Sequence, residues 1–379
     1  MGERTVTTVY LIRHAEAEGN LYRIAQGQHN SILTDRGWRQ TRALEERFRD
    51  IHVDTVYSSD LYRTCATASA IYRPKCLPLH RCAGLREICV GSWEQKTWGQ
   101  IAREDPEQLE NFNHHLHLWH AEGAETPLQV QSRVLAAIRQ IAAANDGKTV
   151  AVFSHGAAIR LVLAYLQGYS LEDLGQTPHG DNTAVSLLEA EGDTMRVIFR
   201  DDNSHLRTPE FLAGEKVSKR ANALEPGLWF APLRLPEQAS FLTGSVSDAW
   251  PEAGLASAFD PERLLADAGE RSTLVGFLGE DPVGLVQLGP ETGWISLAWI
   301  RRDCRKRGFG VQLIGQAVQL TRSLDGRELL VSLPTGSSAF SFFRDYGFHP
   351  AGEAEGRVVL KKDISFDPEF LGSCPESSH

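Results

Sequence analysis

The first half of the chain alternates short apolar runs with stretches whose apolar residues recur at helical spacing. An alternating, β-branched run from Thr5 to Leu11 predicts a strand, and the continuous apolar run Thr149 to Phe153 is typical of a central parallel strand. Helical spacing marks Gly37 to Arg49 and Thr126 to Ala144. The alternation of strands and helices predicts an α/β fold built on a parallel sheet.

Two further features organise this half. The polar and aromatic stretch from Gln95 to Glu125 reads as a helical cap inserted in the α/β pattern, and residues 182–188 and 195–199 read as a closing hairpin. Periodicity then fades, and Lys216, Lys219 and Arg220 suggest a solvated connector. We therefore predict a first domain over 1–207 and a linker over 208–225.

A new alternation fills the rest of the chain, which we predict to be a second α/β domain with a mixed sheet over 226–379, ending in a short polar tail. The predicted helices are 236–250, 261–268 and 311–320, and the predicted strands are 272–278, 283–288, 294–300 and 328–333. Because one core seldom serves more than about 250–300 residues, two domains agree with the length of 379.

Composition narrows the class of protein. A formal charge of −10 argues against a nucleic-acid surface, although arginine clusters can still hold a small anion. No apolar run approaches the length of a membrane helix, and the N-terminus lacks a signal-peptide pattern, so we expect a cytoplasmic protein with no membrane partner. The six cysteines show no C-x-x-C spacing, which indicates neither a zinc site nor a disulfide framework.

Chemically capable side chains collect where the predicted strands of the first domain end. Carboxyl ends of parallel strands share one edge of the sheet, and reactive groups gather there. Histidine serves as nucleophile or base near neutral pH, and arginine binds phosphate oxygens as a fixed cation. The candidates are Arg13, His14, Arg63, Glu87 and His155.

Six segments, in order, resemble the histidine phosphatase (phosphoglycerate mutase-like) superfamily over residues 5 to 206. They are Arg13-His14-Ala15-Glu16 with Asn20, Leu33-Thr34 with Gly37 and Gln40, Ser58-Ser59-Asp60-Leu61 with Arg63, Glu87 with Gly91-Ser92-Trp93-Glu94, Ser154-His155-Gly156, and Asn203-Ser204-His205-Leu206. The resemblance implies a three-layer α/β/α domain with a helical cap.

The resemblance also implies the roles of the candidates. His14 is then the nucleophile that forms a phosphohistidine, Glu87 is the proton donor, and Arg13, Asn20, Arg63 and His155 hold the phosphoryl oxygens. The implied reaction is metal-independent hydrolysis of a small phosphorylated metabolite. The Gly-Ser-Trp-Glu turn resembles the phosphatase branch more than the mutase branch, and a phosphoglycerate-type mutase stays open as the alternative.

The predicted cap carries His114, His117 and His120 at a spacing that places them on one helix face, a geometry able to bind a metal. No carboxylate or cysteine completes a familiar ligand pattern, so a solvated helix face is the preferred interpretation and we predict no metal.

The second domain contains a basic glycine loop between the strand ending at Ile300 and the helix starting at Val311. Glycines allow close backbone approach, and amides leading into a helix N-terminus form an anion cradle. The loop residues are Arg305, Lys306, Arg307, Gly308, Phe309 and Gly310. This R-x-x-G-x-G loop and the later Ala339 to Phe348 segment resemble the GNAT N-acetyltransferase family over about 226 to 363.

That second resemblance implies that the loop amides bind the pyrophosphate of acetyl-CoA or another acyl-CoA, that the thioester lies between two splayed strands, and that an amine of unknown identity accepts the acyl group. One departure matters: Phe343 stands where many of these enzymes place a tyrosine that protonates the thiolate. Tyr346 is a possible substitute, although packing is the preferred interpretation. A non-catalytic acyl-CoA sensor is therefore the alternative.

Overall fold

The computed structural model describes residues 5–213, 215, 227–249, 260, 262, 265–266, 272–289 and 291–371. The predicted helix over 261–268 and the basic stretch over 216–220 fall mostly or wholly outside these residues.

The first domain is a six-stranded sheet covered by helices on both faces. Its elements are β1 (Thr7–Arg13), α1 (Glu18–Tyr22), α2 (Asp35–Phe48), β2 (Thr55–Ser58), α3 (Tyr62–Tyr72), β3 (Leu79–Arg81), α4 (Trp98–Glu104), α5 (Pro106–His114), α6 (Pro127–Ala144), β4 (Thr149–Ser154), α7 (Gly156–Leu166), β5 (Val185–Glu191), β6 (Thr194–Asp202) and α8 (Pro209–Ala213).

The sheet order is β3-β2-β4-β1-β5-β6; the first four strands are mutually parallel, β5 is antiparallel to β1, and β6 is antiparallel to β5. Both faces of β4 are buried, as its continuous apolar run predicts. Val150 and Val152 face the α6 and α7 side, while Ala151 and Phe153 face α2 and α3. The α/β/α prediction is confirmed, with α4 and α5 as the helical cap.

The second domain has two smaller sheets. Its elements are β7 (Trp229–Pro232), α9 (Ala239–Ala249), β8 (Thr273–Leu278), β9 (Asp281–Leu288), β10 (Ile295–Ile300), α10 (Phe309–Ser323), β11 (Glu328–Pro334), α11 (Ala339–Asp345), β12 (His349–Ala354) and β13 (Arg357–Asp363). The antiparallel sheet β10-β9-β8-β7 meets the sheet β11-β13-β12 through one parallel bridge, Trp294 to Leu330. The mixed-sheet prediction is confirmed.

The two domains share an apolar core, which the domain prediction did not anticipate. Tyr22 of α1 is 2% exposed and belongs to the core that includes Ile314 and Val318 of α10. The approach is so close that a Cβ on Gly315 would lie 2.5 Å from Cβ of Tyr22. Only a glycine permits this helix contact.

The start of the predicted linker and the predicted polar tail also differ from expectation. Helix α8 lies inside the predicted linker, yet Phe211 is buried and Glu215 pairs with Arg36 and Arg39 of the first domain. The tail, which the structure describes over residues 364–371, returns to the first domain, where Phe370 packs against Trp38 and Tyr62. Residues 209–213 and 215 therefore pack as part of the first domain, because the side chain of Phe211 is buried and the carboxylate of Glu215 pairs with arginines there.

Candidate active site

His14 follows β1 directly and lies in the centre of the sheet edge. Its backbone N–H donates to the carbonyl of Ser154 at 3.0 Å, and Nδ2 of Asn182 donates to its carbonyl at 3.0 Å. Nδ1 lies 2.7 Å from the carbonyl oxygen of Ala15. Because a carbonyl only accepts, Nδ1 carries the ring proton and Nε2 keeps its lone pair. The ring of His14 therefore keeps one nitrogen, Nε2, that is chemically able to attack an electrophile.

The imidazole of His14 is held neutral. Burial, reinforced by the cations of Arg63 and Arg13, keeps the pKa of His14 well below its ordinary value of 6.5, while its hydrogen bond to Ala15 acts in the opposite direction. A neutral ring retains the electron pair that attack on phosphorus requires.

His155 ends β4 and precedes α7, with its ring centroid 5.3 Å from that of His14. Nε of Arg63 donates to Nδ1 of His155 at 3.2 Å, and Nε2 lies 2.9 Å from Oγ of Ser59. Since a guanidinium only donates, Nε2 carries the proton and donates to Ser59. Burial first, and then Arg63, keep the pKa of His155 well below 6.5. His155 thus accepts a hydrogen bond from Arg63 and orients its guanidinium.

The two predicted arginines flank these rings. Arg63 is 1% exposed and donates to the carbonyls of His29 at 3.0 Å and Gly27 at 2.7 Å. Burial lowers the pKa of Arg63 to about 10, against the opposing effect of Glu87 and Glu94, so the group is still a cation at neutral pH. Arg13 donates from Nη1 to the carbonyl of Gly180, and its Nε is buried without a partner. An unpartnered buried donor beside His14 favours an anionic ligand.

Glu87 lies in the loop before α4, and its side chain reaches the N-terminus of α7. Its carboxylate accepts the backbone N–H groups of Ile88 at 3.0 Å, Ala158 at 2.9 Å and Ala157 at 3.1 Å. Its charge raises the pKa of both Arg13 and Arg63, which places the carboxylate in the same charged cluster. The structure therefore brings Arg13, His14, Arg63, Glu87 and His155 together.

Asn20 is the predicted residue that stands apart. Its side chain is exposed, and Oδ1 accepts the backbone N–H of Ala17 at 3.1 Å, at the start of α1. Among the described residues it makes no hydrogen bond to the other predicted phosphate ligands. A phosphate contact from Asn20 remains a prediction.

Sequence reasoning assigned no role to Glu94, although Trp93-Glu94 was part of a quoted motif. Its carboxylate accepts the N–H groups of Gly27 at 3.1 Å and Gln28 at 2.6 Å. The same loop supplies the carbonyls that hold Arg63. Glu94 therefore positions Arg63 through this loop, a link between distant segments that no local pattern reveals.

Arg133 was also missed. From α6 it donates to the carbonyls of Gly84, Arg86 and Glu87 and pairs with Glu125 at 2.8 Å. These bonds fix the loop that carries Glu87. A single arginine in an amphipathic helix gives no signal of such a role, because arginines on helices usually face solvent.

Two sequence interpretations are corrected. The sequence Ser58-Ser59-Asp60 before α3 is typical of a helix N-cap, but it does not cap α3: the N–H of Tyr62 donates to Oδ1 of Asn30 at 2.9 Å, and Asp60 pairs with Arg86. The cap histidines do not share one helix face, because α5 ends at His114 while His117 lies in a following 3-10 turn. Within the described residues, no cluster of histidine, cysteine and acidic side chains is arranged to hold a metal ion.

In the second domain, the predicted loop precedes α10 as a strand-to-helix connection. Gly308 occupies the left-handed region with φ of 82° and is the N-cap of α10, and Lys306 has φ of 61°. Lys306, Arg307 and Gly308 are exposed, whereas the side chain of Phe309 is 3% exposed in the core. Phe309 can thus offer a ligand only its backbone.

The remaining loop residues are positioned by local contacts. Arg305 donates from Nε to the carbonyl of Ile300 at 2.9 Å, and Gly310 lies so near Phe342 that an added Cβ would be 2.9 Å from its ring. The loop is therefore built around backbone groups at a helix N-terminus, where anions bind favourably.

The side chains of Phe343 and Tyr346 both pack against other aromatic rings. Phe343 is 4% exposed and packs against Phe348. Tyr346 packs against Phe342, and burial together with the carboxylate of Glu16 in the first domain raises the pKa of its phenol. Tyr346 therefore packs against Phe342, near the carboxylate of Glu16.

None of the helices in the described part of the chain combines the length and apolar character needed to span a membrane.

The fold and the histidine–arginine–glutamate cluster define a phosphoryl-transfer class of protein. The model of the histidine phosphatase superfamily (branch 1) matches residues 9–203, and that of the acetyltransferase (GNAT) family matches residues 236–348. The chain belongs to the histidine phosphatase superfamily and carries a GNAT domain behind it.

Two curated relatives match the first domain. Metal-independent phosphoserine phosphatase of Arabidopsis thaliana is 30% identical over 213 residues, covering 55% of this chain and 87% of the relative. Phosphoserine phosphatase 1 of Hydrogenobacter thermophilus is 29% identical over 181 residues, covering 48% and 85%. The solved structure of Bacillus stearothermophilus YhfR is 32% identical with a TM-score of 0.52, covering 53% of this chain and 99% of that one.

Proposed function

We propose that the first domain hydrolyses small phosphomonoesters through a phosphohistidine at His14, without a metal ion. The observation that carries the proposal is the neutral, Nδ1-protonated His14, which feels the charges of Arg63 and Arg13 and whose neighbour Arg13 has a buried Nε without a partner. O-phosphoserine is our first candidate substrate, because two similar proteins bear phosphoserine phosphatase names.

In the proposed reaction, Nε2 of His14 attacks phosphorus while the ester P–O bond breaks. Glu87, in its protonated form, gives a proton to the departing alkoxide, and Arg13 and Arg63 offset charge on the phosphoryl oxygens. Water then attacks the phosphohistidine, Glu87 accepts its proton, and phosphate leaves with His14 restored. His155 supports the step by orienting Arg63.

The test is His14→Ala in the full chain, compared with His115→Ala, a histidine of the cap. We expect His14→Ala to abolish both turnover of O-phosphoserine and acid-labile phosphate labelling, and His115→Ala to retain both. Wild-type rates in His14→Ala would overturn the proposal. A phosphoglycerate that yields its positional isomer in place of free phosphate would identify the alternative, a mutase.

We also propose that the GNAT domain binds acetyl-CoA at residues 305–310 and transfers its acyl group to an amine. The supporting observation is the exposed run of Lys306, Arg307 and Gly308 leading into α10, together with strands β10 and β11, between which the described residues form one isolated bridge. This arrangement provides amides for a pyrophosphate and a gap for the thioester.

Gly308→Ala tests this second proposal. Added strain at φ of 82° and a methyl group at the amide cradle should weaken acetyl-CoA binding at least about tenfold, measured by calorimetry. Gly168→Ala is the matched control, since Gly168 has φ of 83° and nothing within 4 Å of an added Cβ. Equal affinities in both variants would contradict the assignment. Binding with no thiol release for any amine would favour the acyl-CoA sensor.

A further inference from the structure

A cavity of about 360 Å³ lies on the second domain where β10 and β11 separate. Its lining includes Glu291, Trp294, Ser296, Ser332 and Arg357. Trp294 and Leu330 form the bridge that joins the two strands, so the cavity begins where their pairing stops. It is thus adjacent to the gap proposed for the thioester.

Ser296, which lines one wall of the cavity, belongs to a network of polar side chains on strands β8, β9 and β10. The register between β9 and β10 shifts at Ser296, whose Oγ donates to Oε1 of Gln287 at 2.9 Å. Gln287 is 3% exposed and in turn donates to Oγ1 of Thr273 at 2.9 Å. Because its proton is used within the protein, the Ser296 hydroxyl offers the cavity an acceptor. An acceptor at this position suits an amine.

Arg357 supplies a cation to the same cavity in a fixed orientation. Its Nε donates to Oγ of Ser332 at 2.9 Å and its Nη2 donates to the carbonyl of Ser332 at 2.8 Å. Within the residues that the structure describes, no carboxylate forms an ion pair with Arg357. A guanidinium held by one edge keeps its remaining donors for a planar anion such as a carboxylate.

Glu291 contributes the opposite charge. It is exposed on the loop between β9 and β10, and none of the described basic residues pairs with its carboxylate. One fixed cation, one anion and a hydroxyl acceptor in a cavity of this size match a small zwitterion better than a simple amine or a polyamine.

We infer that the acyl acceptor is a free amino acid, whose α-carboxylate binds Arg357 and whose amino group lies towards Ser296 and Glu291. This rests on the proposed acyltransferase function and specifies its substrate class. The ammonium loses one proton, its nitrogen attacks the thioester carbon, the C–N bond forms and the C–S bond breaks. The products are an N-acyl amino acid and coenzyme A thiol, with one net proton released.

The experiment compares amino acids with the amines that remain when the carboxylate is removed. The probe pairs are L-serine with ethanolamine, L-alanine with ethylamine, and L-phenylalanine with phenethylamine. Calorimetry measures their binding to the full chain with and without coenzyme A, and thiol release measures turnover with acetyl-CoA. We expect at least one amino acid to bind and react about 10- to 100-fold better than its paired amine.

Arg357→Gln should abolish this preference, and Glu291→Gln should raise the KM for the amino acid about two- to fivefold. Lys361→Gln is the matched control, because Lys361 lies on the same strand and pairs with Glu328 away from the cavity. Unchanged coenzyme A affinity and phosphatase activity in Arg357→Gln will show that the fold is intact.

The inference would be overturned if both members of every pair bind and react equally well, or if the preference for the amino acid persists in Arg357→Gln. Absence of amino acid binding at millimolar concentration would do the same. If an amino acid binds through Arg357 but no thiol is released, the site is supported and the acyltransferase proposal fails instead.

Discussion

Glu18 and Arg322 form a two-pronged ion pair that joins the two domains, with Nη1 2.7 Å from Oε2 and Nη2 3.1 Å from Oε1. Glu18 belongs to α1, directly after the His14 loop, and is 4% exposed. Arg322 also donates to the carbonyl of Ile364 and lies over the ring of Phe366. One arginine thus connects α1, α10 and the tail.

We expect Arg322→Ala to lower the free energy of unfolding by about 3–5 kcal/mol, because it leaves the buried carboxylate of Glu18 without its cation. The double variant Glu18→Gln/Arg322→Met should lose less, since no uncompensated charge remains. Urea unfolding of the full chain measures both.

Glu280→Gln is the control for that comparison. It removes the exposed ion pair between Glu280 and Arg103 of α4 and should change stability by only about 0–1 kcal/mol. Similar losses of unfolding free energy in Arg322→Ala and Glu280→Gln would show that burial does not make the Glu18–Arg322 pair more important for stability than an exposed pair.

A second prediction concerns the packing of the tail. Phe370 is 2% exposed between Trp38 and Tyr62, so Phe370→Ala should cost about 3–5 kcal/mol of unfolding free energy by leaving a cavity. Leu324→Ala, at a side chain 58% exposed, should be nearly neutral. If the Phe370 variant unfolds at the wild-type urea concentration, the tail is not part of the first domain's core.

The depressed pKa of His14 predicts an unusual pH profile. Because the folded pKa lies well below 6.5, the nucleophile stays unprotonated, and its contribution to kcat/KM should stay constant as pH falls through 6.5. Replacing Arg63 by Gln removes a repelling cation and should raise the pKa of His14, moving the acid limb to higher pH.

The ratio of variant to wild-type kcat/KM should therefore fall as the pH is lowered, and taking the ratio cancels ionisation of the substrate. Arg47→Gln serves as the control, since Arg47 lies beside His205 and not beside His14. A flat ratio for Arg63→Gln would show that this cation does not set the ionisation of His14.

Glu87→Gln should affect esters according to their leaving groups. An alkoxide such as that of serine needs protonation as it departs, whereas p-nitrophenolate does not, and a positioned acid contributes about 10²–10⁴-fold. We expect O-phosphoserine hydrolysis to slow by that amount and p-nitrophenyl phosphate hydrolysis far less. Steady-state kcat on both substrates provides the measurement, and equal slowing would remove Glu87 from the acid role.

Much of the fold could be predicted because its signals are local. The uninterrupted run Thr149 to Phe153 became a strand buried on both faces, and strand ends adjacent in the sheet brought His14 and His155 together. Periodicity records which faces are buried, and parallel pairing fixes which strand ends meet. The same reasoning did not find β3, which has only three residues.

What the sequence determined by itself was the alternating α/β pattern of both halves, the resemblance to two families and a set of candidate residues for phosphoryl transfer. Only the tertiary structure decided that Nε2 of His14 is the free nitrogen, that Glu94 holds the loop behind Arg63, and that the domains share a core through Tyr22. These facts depend on contacts between segments far apart in the chain. Hydrophobic spacing describes how much of a side chain is buried, but the partner that buries it is set by packing of the whole molecule.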